Sequence, residues 1–230
     1  MASELCVALD GSDRDWILKT AEELAPISQW LKIGLEAFTA FGPGLVREVS
    51  TLGARLFLDL KLHDIPNTVA GAVSNAAGPG VGLLNVHASG GARMMRAAAE
   101  ALEGIGAETR LIAVTVLTSL DVEELRRLGL DIPIRELVRR WALLAKASGL
   151  QGVVASPREI RAVREACGED FLIVTPGIRP ARASGDDQKR TMTPAEARNE
   201  GADILVVGRP ITQAAQPREA ALRILDELRG

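Results

Sequence analysis

The chain has no tyrosine, and aromatic residues make up only 3% of its 230 residues. Proteins that bind single-stranded nucleic acid stack the bases on aromatic side chains, and few are available here. The formal net charge of −3 at pH 7 also argues against a polyanion as the main partner. We therefore expect no nucleic-acid partner, and any bound anion must be met by a local cluster of positive charge.

Cysteine and histidine are equally scarce, with two residues of each. Cys6 falls in a predicted strand and Cys167 in a predicted helix, which gives neither a disulfide framework nor the spacing of a metal site. We expect both to be small buried residues in a reducing compartment. His63 and His87 have no third partner at ligand spacing, so the sequence predicts neither a metal centre nor a Ser-His-Asp triad.

Long apolar runs are also missing. No segment approaches the length that spans a membrane, and the first residues lack the basic and apolar regions of a secretion signal. These two absences predict a soluble cytoplasmic protein that has no membrane partner.

Short apolar runs rich in β-branched residues are present along the whole chain, and stretches with helical periodicity lie between them. The predicted strands are Leu5–Asp10, Trp30–Gly34, Arg55–Lys61, Gly82–Ala88, Arg110–Leu117, Gly152–Ser156, Phe171–Ile178 and Ile204–Arg209. Strands that alternate with helices favour a parallel sheet, and eight of them in a chain of this size favour a closed barrel. The prediction is a single-domain α/β protein, a (β/α)8 TIM barrel over residues 1–230, with an open doubly wound sheet as the alternative.

The most informative segment is Asp59–Val69, which follows an apolar run. Side chains of a strand alternate, so Asp59 and Lys61 share one face, and Asp64 follows within a turn of chain. Isolated charges are costly to bury, which makes this a poor core sequence unless the charges neutralise one another in a pocket. Lys32 on the neighbouring predicted strand extends the set, although Lys32 alone is typical of an ordinary surface lysine.

Polar residues also end the other predicted strands, where a barrel of this kind carries its active site. They are Asp10, Thr118, Ser119, Arg179, Gly208 and Arg209. Asp10 alone also fits a turn or a helix cap. Gly208-Arg209-Pro210 is typical of a phosphate site, since glycine allows close approach and arginine matches phosphate oxygens. The alternative for this motif is a capped helix with a surface arginine. The polar segment 180–190 is either a lid or a tolerated surface insertion.

Taken in order along the chain, these motifs resemble the orotidine 5′-phosphate decarboxylase family in its short bacterial form. The resemblance rests on Asp10, Lys32-Ile33-Gly34, Asp59–Thr68, Leu117-Thr118-Ser119, Pro176-Gly177-Ile178-Arg179, Asp187-Gln188-Lys189-Arg190 and Val207-Gly208-Arg209-Pro210-Ile211. It implies a carboxy-lyase that converts orotidine 5′-monophosphate to UMP and CO2, the last step of UMP synthesis, without a metal or another cofactor.

The resemblance also implies a role for each residue. Lys32, Asp59, Lys61 and Asp64 would form an alternating catalytic network, and Lys61 would protonate the product carbanion. Asp64, Ile65 and Thr68 would reach into the partner subunit's site of a homodimer. Asp10 and Lys32 would contact the ribose, and Thr118 and Ser119 the pyrimidine. Arg179, Gln188, Gly208 and Arg209 would hold the phosphate.

Two alternatives remain at this stage. The first is a related Mg²⁺-dependent sugar-phosphate decarboxylase or hexulose-phosphate synthase, which shares the Asp-x-Lys-x-x-Asp motif. Those relatives usually carry an acidic metal ligand where Lys32 stands, and a cation there disfavours Mg²⁺. The second is a nucleotide-binding barrel without catalysis, against which the intact charge network argues.

Overall fold

The computed structural model describes residues 3–180 and 192–229. Eight strands are formed: β1 (Glu4–Ala8), β2 (Trp30–Gly34), β3 (Arg55–Leu62), β4 (Val81–His87), β5 (Arg110–Val114), β6 (Gly152–Val154), β7 (Leu172–Thr175) and β8 (Ile204–Val207). Each strand pairs in parallel with the next, and β8 pairs with β1 to close the barrel. The predicted TIM barrel is confirmed, and the open sheet is excluded.

Helices follow the strands around the outside. They are α1 (Arg14–Leu24), α2 (Leu35–Ser50), α3 (Pro66–Ala76), α4 (Gly91–Gly104), α5 (Val122–Arg127), α6 (Ile134–Ala147), α7 (Ile160–Cys167), α8 (Pro194–Asn199), α9 (Arg209–Thr212) and α10 (Pro217–Arg229), with short 3-10 helices at Ala88–Gly90 and Pro157–Glu159. Within the described residues, no helix is long and apolar enough to cross a membrane.

Several strands end earlier than the sequence predicts. β5 stops at Val114, because the apolar Val116 and Leu117 line a cavity at the barrel mouth instead of pairing in the sheet. β7 stops at Thr175, and Ile178 makes only an isolated bridge to Met192. Ile178 is buried in the apolar core without being part of the sheet. Hydrophobicity alone does not distinguish a strand residue from one that lines a cavity or packs in the core, which accounts for both overestimates.

The barrel has two apolar layers. The larger lies between the strands and the helices, and the smaller fills the barrel interior. The interior layer consists of Cys6, Ala8, Trp30, Phe57, Leu83, Ile112, Val174, Ile204 and Val206. Trp30 fits there because Gly82 has no side chain, since a Cβ on Gly82 would lie 2.7 Å from the indole.

Inward-facing side chains change character along the barrel axis. Because strand side chains alternate, every second residue points inward. On β2 the inward series runs from Trp30 through Lys32, and on β3 it runs from Phe57 through Asp59 to Lys61. The interior is therefore apolar at the amino-terminal end of the strands and charged at the carboxyl-terminal end.

Candidate active site

Four charged side chains form a row at the carboxyl-terminal end of β1, β2 and β3. Lys32 lies in the middle, with its Nζ 2.9 Å from Asp10 Oδ1 and 3.2 Å from Asp59 Oδ2. Lys61 Nζ lies 2.7 Å from the other Asp59 oxygen, Oδ1. Each charge is thus flanked by its opposite. The row combines Asp59, Lys61 and Lys32 of the predicted network with Asp10.

Burial and charge act in opposite directions on this row. Lys32 is 6% exposed and Asp59 is 7% exposed. Burial would lower the pKa of Lys32, but Asp59 and Asp10 outweigh it and raise the pKa above its ordinary value. Burial would raise the pKa of Asp59, but Lys32 and Lys61 outweigh it and lower the pKa. Both groups are therefore charged throughout the neutral pH range.

The backbone under Lys61 is unusual. Its φ is +53°, the only positive value at a non-glycine residue in the described chain. A left-handed conformation at such a residue costs on the order of 1–3 kcal/mol, and residues strained in this way are enriched at functional sites. Here it accompanies a register shift between β3 and β4 that falls between Leu58 and Leu62.

Asn85 on β4 supports this irregular segment, and the sequence analysis missed it. Its Oδ1 accepts a hydrogen bond from the Lys61 backbone N–H at 2.7 Å, and its Nδ2 donates to Asp59 Oδ1 at 2.7 Å. The sequence signal that could have identified it is a single amide within the apolar run Leu83-Leu84-Asn85-Val86, because a buried amide needs hydrogen-bond partners.

The row of charges forms part of the wall of a cavity of about 350 Å³. Its apolar lining includes Phe57, Val114, Val154 and Val206. Eight of the predicted site residues line this cavity: Asp10, Lys32, Asp59, Lys61, Thr118, Arg179, Gly208 and Arg209. The cavity therefore brings anionic, cationic and apolar groups together at the end of the barrel where such folds carry their active sites.

The other predicted site residues lie elsewhere. Ser119 is exposed and does not line the cavity, and Gln188 lies outside the described residues. Asp64, Ile65 and Thr68 are exposed between β3 and the first turn of α3. Asp64 Oδ1 accepts a hydrogen bond from the Ile65 N–H at 2.6 Å. These three residues do not line the cavity of their own subunit, and their contribution to a partner's site stays a prediction.

Arg209 stands at the start of α9, directly after Gly208 and β8. This helix has only four residues, so its dipole contributes little to anion binding. Arg179 lies in the segment after β7, and its Nη1 donates to the carbonyl of Ile178 at 2.9 Å. Among the described residues, Arg179 and Arg209 place two guanidinium groups in the cavity wall, where they could bind an anion.

His63 and His87 lie close together, with ring centroids 5.5 Å apart. Burial, followed by the proximity of His63 and Lys61, lowers the pKa of His87 below its ordinary value. Neither ring lines the cavity. Among the described residues, no group of three His, Cys, Asp or Glu side chains is placed to hold a metal ion.

The absence of a side chain at Gly34 leaves room for the charged groups of Asp10 and Lys32. A Cβ on Gly34 would lie 2.6 Å from Asp10 Oδ1 and 2.9 Å from Lys32 Nζ. Such distances are shorter than van der Waals contact, so a side chain at position 34 would push the two charged groups aside.

The sequence matches the family model described as "Orotidine 5'-phosphate decarboxylase / HUMPS family" over residues 3–224. It is 55% identical to orotidine 5′-phosphate decarboxylase of Moorella thermoacetica, over 98% of this chain and 92% of the relative. It is 52% identical to the enzyme of the same name from Geobacter sulfurreducens, over 96% of this chain and 94% of the relative.

Solved structures agree with the sequence comparison. The crystal structure of orotidine 5′-phosphate decarboxylase from Lactobacillus acidophilus superposes with a TM-score of 0.87 at 36% identity, covering 99% of this chain and 100% of that one. The enzyme of the same name from Pyrococcus horikoshii OT3 gives a TM-score of 0.79 at 28% identity, covering 98% and 99%. Sequence and fold thus agree over nearly the whole length, and the chain belongs to the orotidine 5′-phosphate decarboxylase / HUMPS family.

Proposed function

We propose that this protein decarboxylates orotidine 5′-monophosphate to UMP and CO2 in the cytoplasm, as the last step of UMP synthesis, without a metal or cofactor. The observation that carries the proposal is the alternating row Asp10–Lys32–Asp59–Lys61 in the wall of the cavity. The relatives named above, at 55% and 52% identity, support the same reaction. Cys6 and Cys167 are both free and buried, which fits a reducing compartment.

Binding uses both ends of the substrate. Arg179, Arg209 and Gly208, together with Gln188, hold the phosphate. Asp10 and Lys32 contact the ribose hydroxyls, and Thr118 contacts the pyrimidine. Ser119 lies outside the cavity and would have to turn toward it to reach the ring. The cavity lining supports this division, because Arg179 and Arg209 share one cavity with the row of charges.

The chemical step breaks the bond between C6 and the carboxylate, and CO2 leaves without the bonding electron pair. That pair stays on C6 in the plane of the ring, where the ring π system cannot delocalise it. The ammonium of Lys61 stabilises the negative charge and then donates a proton to C6. Asp59 accepts a hydrogen bond from that ammonium at 2.7 Å and orients it. Lys61 regains its proton from solvent, so one proton is consumed per turnover.

Lys61 cannot account for the whole rate enhancement. One ion pair at about 4 Å with an effective dielectric constant of about 20 gives roughly 4 kcal/mol, or about a thousandfold in rate. The remainder must come from a preorganised site, exclusion of water, and binding energy from the phosphate that is used in the transition state.

The second subunit of a homodimer completes the site. Asp64, Ile65 and Thr68 are exposed, and Ile65 retains 66% of its accessible surface. Burial of so large an apolar side chain against a second copy would be favourable. In the dimer, Asp64 of the partner subunit lies beside Lys61. It adds a fifth charge to the alternating row Asp10–Lys32–Asp59–Lys61.

The main competing function is the Mg²⁺-dependent chemistry of the synthases that share the family model. Lys32 argues against Mg²⁺ chemistry. A divalent ion would need the carboxylates of Asp10 and Asp59 as ligands, and the charged Nζ of Lys32 already lies between them. A catalytically inactive nucleotide-binding barrel is disfavoured as well, since binding alone does not require two buried charges.

In the decisive experiment, purified protein is mixed with orotidine 5′-monophosphate in excess EDTA and the loss of absorbance is recorded. We expect rapid conversion by the wild type, none by Lys61→Ala, and wild-type activity in Lys19→Ala, which removes an exposed lysine of α1. If folded wild type does not convert orotidine 5′-monophosphate but turns over a sugar phosphate when Mg²⁺ is added, the synthase chemistry is favoured. UMP binding without turnover under either condition would favour the inactive barrel.

A further inference from the structure

Asn85 is completely buried, with 0% of its surface exposed. It lies on β4 between Leu84 and Val86, both in the outer apolar layer, and faces the same way as Leu83 in the barrel interior. It does not line the cavity, so a substrate there would not touch it. A buried amide in such a place is costly unless its polar atoms are hydrogen-bonded.

The register of β3 against β4 explains what Asn85 does. Leu58 pairs with Leu84, and the next pair is Leu62 with Val86. Between these pairs β3 has residues 59–61, whereas β4 has only Asn85. Ladder hydrogen bonds cannot be regular across such a bulge. The side chain of Asn85 supplies the missing partner, since its Oδ1 accepts from the Lys61 backbone N–H.

The other end of the same amide holds the catalytic carboxylate. Asn85 Nδ2 donates to Asp59 Oδ1 at 2.7 Å, and this oxygen also accepts from Lys61 Nζ at 2.7 Å. The orientation of the amide is fixed by its partners, because a carboxylate accepts only and a backbone N–H donates only. One side chain thereby fixes both the backbone under Lys61 and the carboxylate beside its ammonium.

We propose that Asn85 is a positioning residue for the decarboxylation, holding Lys61 in its left-handed conformation and Asp59 in the rotamer that meets the Lys61 ammonium. This proposal rests on the proposed function, because it assigns Asn85 to the geometry of that reaction. Asn85 acts through Lys61 and Asp59 and contacts no reacting atom.

The first test compares Asn85→Ala with Thr109→Val. Thr109 is a matched control, because its buried hydroxyl donates to the carbonyl of Val81 at 2.7 Å at the opposite end of the barrel. We expect Asn85→Ala to lower kcat by about 10- to 100-fold, up to the loss that a misplacement of about 1 Å causes in an active site. The KM for orotidine 5′-monophosphate and the affinity for UMP should stay within about threefold of wild type.

Thr109→Val should lose thermal stability but not kcat. If folded Asn85→Ala keeps wild-type kcat, the positioning role is wrong. If both variants lose activity in proportion to their loss of melting temperature, Asn85 is only structural and the proposal is also wrong.

The second test uses Asn85→Asp and a pH profile. A protonated carboxyl at position 85 can donate to Asp59 and accept from the Lys61 N–H, as the amide does, whereas an ionised one repels Asp59. The charged groups around position 85 are Asp59 and Lys61 on β3 and, on the other side of Asp59, Lys32 on β2. On β4, His87 follows two residues later, and β5 pairs Ile112 with Asn85. We expect the kcat of this variant to exceed that of Asn85→Ala while the new carboxyl is protonated, and to lose that advantage as the pH rises and the carboxyl ionises. A kcat no higher than that of Asn85→Ala at every pH would contradict the proposal.

A crystal structure of Asn85→Ala separates this proposal from the proposed function. We expect Lys61 to leave the left-handed region and its contact with Asp59 to lengthen, whatever the reaction proves to be. An unchanged segment 59–62 would overturn the positioning role even if the wild type is an active decarboxylase. Inactive wild type together with a displaced Lys61 would instead overturn the assigned reaction and retain the structural role of Asn85.

Discussion

Lys32 shows how one residue can be both buried and charged. Its ammonium is almost inaccessible to solvent, and two carboxylates lie within 3.2 Å. Such a buried pair adds little net stability, but removing one partner leaves an uncompensated charge that costs on the order of 3–5 kcal/mol. The row is therefore better explained by its chemistry than by its contribution to folding.

Gly34 provides a test of that geometry at the residue scale. In Gly34→Ala the new methyl group displaces the tips of Asp10 and Lys32, which are flexible ends and not backbone. We therefore expect a folded protein whose kcat/KM falls by about 100-fold, the loss that a displacement of about 1 Å causes in an active site. The measurements are the kcat/KM of Gly34→Ala and, to show that the variant is folded, its melting temperature.

Gly44→Ala is the matched control, since no atom lies within 4 Å of a Cβ at that position. It should retain wild-type activity. Equal activity of Gly34→Ala and wild type would mean that the contact between Lys32 and Asp10 is dispensable for catalysis.

At the scale of elements, the sequence predicted the order of strands well and their ends less well. β2 begins and ends at Trp30 and Gly34 as predicted, because a β-prone run is followed directly by a helix. The face shared by Asp59 and Lys61 also follows from strand alternation. The bulge under Lys61 could not be predicted, because it depends on how β3 pairs with β4 and not on β3 alone.

The shortness of α9 sharpens the prediction for Arg209. With only four residues, this helix attracts an anion only weakly through its dipole, so the Arg209 guanidinium is expected to supply a large share of the attraction. We expect Arg209→Ala to lower kcat/KM by at least about tenfold, the equivalent of one charge-assisted hydrogen bond of about 1.5 kcal/mol. The loss should appear although Arg209 touches no reacting atom, because phosphate binding energy is used in the transition state.

Arg218→Ala removes an exposed arginine of α10 and serves as the control in the same steady-state assay. A kcat/KM within a few-fold of wild type for Arg209→Ala would make the phosphate assignment wrong. Added inorganic phosphite or phosphate should inhibit the wild type more than Arg209→Ala if the assignment is right.

For the whole molecule, stability and chemistry are separated along the barrel axis. Trp30 and its apolar neighbours fill the amino-terminal end of the interior, and the charged row stands at the carboxyl-terminal end. The packed end can hold the strands in place while the other end carries groups that would destabilise a core. In the proposed homodimer, the exposed residues Asp64, Ile65 and Thr68 would extend the site beyond one chain.

This arrangement predicts that two inactive variants restore each other. Lys61→Ala keeps Asp64, and Asp64→Ala keeps Lys61, so a mixed dimer has one site with both residues intact. Random exchange makes half of the dimers mixed, and about a quarter of all sites should recover in a C2 homodimer. The measurement is the activity of each variant alone and of their mixture after subunit exchange. The control is a mixture of Lys61→Ala with the double variant that carries both Lys61→Ala and Asp64→Ala. This control should stay inactive, because no subunit in it has Lys61. If the first mixture recovers nothing although subunits exchange, Asp64 acts within its own chain or not at all, and the shared site is wrong.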